Sequence, residues 1–138
     1  MEKNKITIEA QVKAEVKKVW NYWTAPERIT QWNFASPEWQ CPSASNDLRK
    51  GGKYIARMEA KDGSFGFDFE AVYNDVVPEK RLSYVMSDGR EAVTTFERAG
   101  EYTIVTTIFD AENTHPIDFQ KAGWQAILDN FKNYTERN

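Results

Sequence analysis

Cysteine and histidine are nearly missing from this 138-residue sequence, which holds one of each, Cys41 and His115. A lone cysteine excludes an internal disulfide and suits a reducing compartment, so a cytoplasmic location is expected. Two soft ligands cannot make a structural zinc site, and neither a metal nor an organic cofactor is expected. No apolar run approaches the roughly 18 residues of a membrane span. Nor does a charged start lead into an apolar h-region, so export is not expected either. Positive charge is in deficit: 18 Lys and Arg against 21 Asp and Glu give a net charge of −3. Without a basic stripe, nucleic acid is not an expected partner. Repeats, low-complexity linkers and composition shifts are absent as well. Residues 1–138 therefore read as one domain, long enough to bury roughly 68–70% of its unfolded surface.

Aromatic side chains, by contrast, are plentiful: five Trp, six Tyr and eight Phe. Large rings leave irregular gaps where helices cross a curved sheet, and such gaps can hold ligands. Alternation over Ile6 to Val12 predicts a strand with one buried face. The period then lengthens, with Val16, Val19, Trp20 and Trp23 on one stripe of a short helix. Thr24 and Glu27 have capping-box spacing, so a second short helix with Thr24 as N-cap is expected to run to about Trp32. From Asn33 to Ser45 the pattern dissolves into a loop carrying Phe34 and Trp39, too aromatic to float free and a candidate lid.

Strands follow, punctuated by turn signals. Tyr54, Ala56, Met58 and Ala60 share a face, and Asp62-Gly63 marks a hairpin. Phe65, Phe67, Phe69, Ala71 and Tyr73 share another, then Leu82, Tyr84 and Met86 before Asp88-Gly89. Two further strands cover about 91–98 and 102–110, with Thr94, Phe96, Val105, Thr107 and Phe109 taken as inward. A long amphipathic helix begins near Pro116, capped by His115 or Thr114. Its apolar face carries Ile117, Gln120, Gly123, Trp124, Ile127, Leu128, Phe131 and Tyr134. The fold class is therefore α+β: an antiparallel sheet of about six to seven strands wrapped around the long C-terminal helix, with two short helices after the first strand.

Particular segments resemble a known family. They are Val16-x-x-Val19-Trp20-x-x-Trp23-Thr24-x-Pro26-Glu27 ending at Trp32, Asp47-Leu48-Arg49-x-Gly51-Gly52-x-Tyr54, Pro78-Glu79-x-Arg81-Leu82, and Gly123-Trp124. Together they are similar to the activator of Hsp90 ATPase-like family of the START-like (SRPBCC, Bet v 1-like, polyketide cyclase-like) superfamily. The resemblance implies a helix-grip fold with a cavity between sheet and helix. Members of that superfamily include lipid and hormone carriers, aromatase/cyclases and a domain that stimulates Hsp90, and fold alone does not choose among them.

The leading expectation is binding of a small hydrophobic or aromatic molecule, lipid, polyketide or flavonoid-like. Inward-leaning candidates for contact are Trp32, Trp39, Tyr54, Met58, Phe67, Phe69, Tyr84 and Met86, with Gln120, Gly123, Trp124, Ile127 and Leu128 from the long helix. The plain alternative for each is core filling. Gln120 is the oddity, an amide amid apolar neighbours that would either orient a ligand's oxygen or bond to backbone or water. If it serves a ligand, Gln120→Leu should preserve or raise stability. A cyclase or lyase is the alternative function, and an Hsp90-linked interaction module the third. No catalytic residue is assigned. Asp68 and Glu70 read as solvent-facing, His115 as a helix cap, and Cys41 lacks a neighbour to activate it.

Overall fold

The alternation at the start does make a strand. In the computed structural model, which describes residues 4–138, β1 (Lys5–Val12) buries Ile6, Ile8, Ala10 and Val12 and exposes the residues between them. Two helices follow, α1 (Val16–Thr24) and α2 (Pro26–Trp32). Pro26 opens α2, where its missing N–H has no intrahelical partner to lose. The expected capping box does not form. Ala25 is the N-cap of α2, and Thr24 ends α1 with its hydroxyl donating to the Trp20 carbonyl at 2.8 Å. Pro26 starts the new helix one residue after Ala25, so Thr24 is left facing back along the old one.

The segment expected as loop contains two short strands, β2 (Trp39–Gln40) and β3 (Ala44–Asn46), both antiparallel to β4 (Lys53–Ala60). β5 (Gly66–Val77), β6 (Arg81–Met86), β7 (Glu91–Ala99) and β8 (Tyr102–Asp110) complete an eight-stranded sheet. Its order is β1-β8-β7-β6-β5-β4-β2, with β3 also on β4. An extra residue on β5 between Tyr73 and Asp75 breaks the register with β6 and adds local twist to the curled sheet. Thr94, Phe96, Val105, Thr107 and Phe109 are all buried, which fixes the phase of the last two strands.

β5 is much longer than its neighbour. Residues 66–69 pair with β4 but run past the first β6 partner pair, Ala71 with Met86. The start of β5 therefore runs past β6 and is held by β4 alone, while β4 carries β2 on its other side, with Phe65 and Phe67 exposed near the hairpin tip. Arg57 stands directly opposite Asp68 on this ribbon and also pairs with Glu59. Such exposed pairs add little stability individually.

The Gly51-Gly52 pair serves close packing. A Cβ on Gly52 would sit 2.0 Å from the Asp47 carbonyl oxygen, and Gly51 N–H donates to the Tyr73 carbonyl at 2.8 Å. The last element, α3 (Ile117–Arg137), crosses the sheet against β1. Its N-cap is Pro116 without a side-chain cap, so neither His115 nor Thr114 takes the expected capping role. The three helices are tied by directed bonds. Trp32 Nε1 donates to the Tyr22 carbonyl at 3.0 Å, and Asn130 Nδ2 donates to the Trp32 carbonyl at 2.7 Å. Asn46 joins this layer to the sheet, donating to the Thr24 carbonyl and accepting from the Tyr73 hydroxyl.

One buried group lacks a partner. Thr135 is fully buried on α3, and its Oγ1 makes no hydrogen bond among the described residues. Thr135→Val keeps the shape and removes the orphaned hydroxyl. It should raise unfolding free energy by about 1 kcal/mol, since an unsatisfied buried polar group costs roughly 1–3 kcal/mol. A urea titration showing equal or lower stability would mean that this hydroxyl has a partner after all.

Candidate functional site

Register builds the floor of a cavity. Ile8 lies opposite Thr107, Thr107 opposite Thr94, and Thr94 opposite Leu82, so these four side chains form one row across the sheet. Above the row, α3 contributes Trp124, Ile127 and Leu128. Trp23 of α1, with Trp32 and Asn33 at the end of α2, closes one side. The β4–β6 part of the sheet supplies Tyr54, Met58, Phe67, Phe69, Tyr73 and Tyr84, and Arg90 enters from the turn between β6 and β7. These residues enclose about 300 Å³, at the small end of the roughly 300–1,000 Å³ usual for small-molecule sites.

The walls are mostly rings fixed by one another. Trp23 stacks on Trp32 at 5.1 Å between centroids, and Phe131 meets both edge-on at 4.9 Å. Trp124 lies flat on Phe109 at 3.8 Å. Tyr54 and Tyr84 stack at 6.2 Å, with Phe69 edge-on to both. Burial pushes the phenols of Tyr54, Tyr73 and Tyr84 above their ordinary value of 10, so all three are neutral at physiological pH. The Thr94 and Thr107 hydroxyls bond each other at 2.8 Å, which quiets the polar spot on the floor.

Most of the residues picked from the sequence meet here: Trp32, Tyr54, Met58, Phe67, Phe69, Tyr84, Trp124, Ile127 and Leu128 all line the space. Four do not. Trp39 sits on the edge strand β2, its ring edge-on to Phe65 and Phe67, outside the cavity wall. Met86 is one inward position beyond Tyr84 on β6, opposite Ala71, and is closed into the core. Gly123 presents no side chain, and a Cβ there would meet nothing within 4 Å.

Gln120 is the most instructive case. Its Oε1 accepts the Glu112 N–H at 2.8 Å, and its Nε2 donates to the Glu112 and His115 carbonyls at 3.1 and 2.8 Å. The amide pins the loop before α3, and Gln120 is not part of the cavity lining. Gln120→Leu would strand that N–H and both carbonyls. It should therefore destabilise by about 1–3 kcal/mol, the reverse of the expectation for a ligand contact. An unchanged melting temperature would show that water replaces the amide without loss.

Sequence reasoning missed Arg90, Asn33 and Trp23 as wall residues. Ile8, Tyr73, Leu82, Thr94 and Thr107 were already on inward faces, and only their neighbours across the sheet reveal that they share one space. Arg90 follows Asp88-Gly89, where the turn signal hides the fact that position 90 is in phase with the inward positions 92 and 94.

The titratable candidates lie elsewhere. Asp68 pairs with Arg57 and Glu70 with Lys53 on the outer face. His115 is exposed, bonded through Nδ1 to Glu112 at 2.7 Å and stacked on Phe119. The hydrogen bond from His115 holds the Glu112 carboxyl below its usual range. Cys41 is buried, and burial pushes its thiol up, away from a reactive thiolate. Among the described residues no group of three or more His, Cys, Asp or Glu could hold a metal, and no helix is long and apolar enough to cross a membrane.

A family model described as activator of Hsp90 ATPase homolog 1-like protein matches residues 13–136. The chain belongs to this family. Its fold agrees with the AHSA1-like protein of Aeromonas hydrophila, with 46% identity over 97% of this chain and 93% of that one, and a TM-score of 0.92. A protein of Cytophaga hutchinsonii is 47% identical with the same shares covered and a TM-score of 0.84. A Chromobacterium violaceum protein shares the fold at 19% identity, covering 98% and 99% of the two chains with a TM-score of 0.87. No curated protein matches the chain. Membership in the AHSA1-like family accounts for the order of elements and for a long helix laid on the sheet.

Proposed function

We propose that this chain binds one small hydrophobic or aromatic molecule, of lipid, polyketide or flavonoid-like character, between the sheet and α3. A single observation carries the reading: about 300 Å³ of space walled by Trp23, Trp32, Trp124 and a set of Phe and Tyr rings. Filling such a space removes apolar surface from water on both partners, worth roughly 25 cal/mol per Å² before the costs of association. Trp32, Tyr54, Met58, Phe67, Phe69, Tyr84, Trp124, Ile127 and Leu128 are the proposed contacts.

A cyclase or lyase would need a proton-moving group at the ligand. The obvious ones, His115, Asp68, Glu70 and Glu112, lie outside the lining, which favours binding over turnover. An Hsp90-linked role, suggested by the family's description, predicts instead that the purified chain changes Hsp90 ATPase activity. The cavity carries no weight in that reading.

The test is a library of apolar ring compounds scored by tryptophan quenching and by melting temperature. Bound ligand raises stability in proportion to ln(1 + [L]/Kd). Ile127→Trp narrows the space and should abolish the shifts seen with the unaltered protein. If no compound raises the melting temperature, the binding reading fails.

A further inference from the structure

The cavity holds hydrogen-bond donors that the described residues do not fully satisfy. Tyr84 lines the space, and its hydroxyl makes no hydrogen bond among the described residues. Beside it, the Tyr54 hydroxyl accepts from Asn33 Nδ2 at 3.3 Å, which leaves its own hydrogen free to point inward. Arg90 reaches the same wall from the β6–β7 turn, on the inward side of the row shared with Met86. Its Nε donates to Asp88 at 2.7 Å and its Nη1 only at 3.4 Å to the Asp110 carbonyl, so guanidinium N–H groups remain.

The balance at this end is donors over acceptors. Charge, however, is already matched: Asp88 takes the Arg90 guanidinium directly, and Glu112 lies within reach of its field. Neither carboxylate is part of the lining, but the Asp88 ion pair already neutralises the one cation that is, so an anion would find no unpaired positive charge there. The two hydroxyls on the floor, Thr94 and Thr107, are already bonded to each other.

From this, and resting on the binding reading above, we infer that the ligand is a neutral ring compound carrying a hydrogen-bond-accepting oxygen, of ketone type, which docks on the Tyr84 hydroxyl beside Tyr54 and Arg90. A hydrocarbon would fill the space but leave these donors unsatisfied, and a buried unsatisfied donor works against binding. Burial also keeps the Tyr84 phenol protonated, so it donates throughout the physiological range.

Three probes of one shape separate the possibilities: fluorene, fluorenone and fluorene-9-carboxylate. Dissociation constants are measured by tryptophan quenching on the full chain and on Tyr84→Phe. Fluorenone should bind about fivefold tighter than fluorene, the ratio expected of one net hydrogen bond. In Tyr84→Phe that ratio should fall toward one. Equal binding of ketone and hydrocarbon, or a ratio untouched by the substitution, overturns the inference while leaving an apolar binding site standing. Tightest binding by the carboxylate also overturns it, in favour of Arg90 as an anion anchor. Absence of binding by all three, together with a silent library, removes the binding reading itself.

Discussion

Phe131→Ala should lower the unfolding free energy by about 3–5 kcal/mol, a large part of the roughly 5–15 kcal/mol that holds a domain of this kind. Phe131 is fully buried and is the ring against which Trp23 and Trp32 both stand edge-on. Its loss removes the apolar area of a whole phenyl group and two ring pairs worth about 0.5–1.5 kcal/mol each. The damage should also reach the cavity, because Trp23 and Trp32 form its wall. A void behind them lets the indoles relax, so tryptophan emission and ligand affinity should change along with the urea midpoint. A loss below about 1 kcal/mol would mean that the helices collapse into the gap, and that the wall is soft.

The second large effect is on the alkaline side. Burial raises the phenol pKa of Tyr54, Tyr73 and Tyr84 in the folded protein, whereas an unfolded tyrosine ionises near 10. Above that pH the unfolded chain has lost protons that the folded one retains, so stability falls as pH rises. Below pH 10 the contribution is fully present, and it drains away on the climb toward the raised folded values. Each phenol held neutral costs about 1.4 kcal/mol per pH unit in that range, and the three together about 4 kcal/mol. A protein stabilised by about 5 kcal/mol would thus unfold little more than one unit above pH 10. Tyrosinate absorbance from these residues should appear together with the loss of helical circular dichroism. Tyr84→Phe should shift the midpoint to higher pH. Full tyrosine ionisation while the fold is intact would show that water reaches the cavity freely.

The fold was largely legible because its signals are local and periodic. Alternation over Ile6 to Val12 and over Tyr54 to Met58 reports a buried face wherever the chain folds, and so does the stripe from Trp124 to Phe131. Depth is another matter. Periodicity places Met86 and Tyr84 on one face equally, yet one is core and the other cavity wall. That distinction depends on what lies across the sheet and above it, which no window of a dozen residues contains. Gln120 failed for a related reason: its partners are the backbone of Glu112 and His115, and a sequence shows side chains only. Thr24 had the right spacing for a cap but stood on the wrong side of a helix break set by Pro26. Arg90 was hidden within a turn signal.

The stretch of β5 that runs past β6 bears on how the proposed ligand would enter. Phe67 and Phe69 belong both to this ribbon and to the cavity wall, and the ribbon's residues 66–69 are bonded to β4 alone. A segment with one hydrogen-bonded neighbour opens at a lower free energy than the doubly paired strands, so its amides should exchange with deuterium by a sub-global route. On the proposed binding, this end of β5 and the wall it carries would open as one unit, and ligand capture would be set by its release from β4 while β4 stays held by β2 and β3. Occupancy, in turn, should be readable as slowed exchange in residues 66–69 before any other part of the molecule responds.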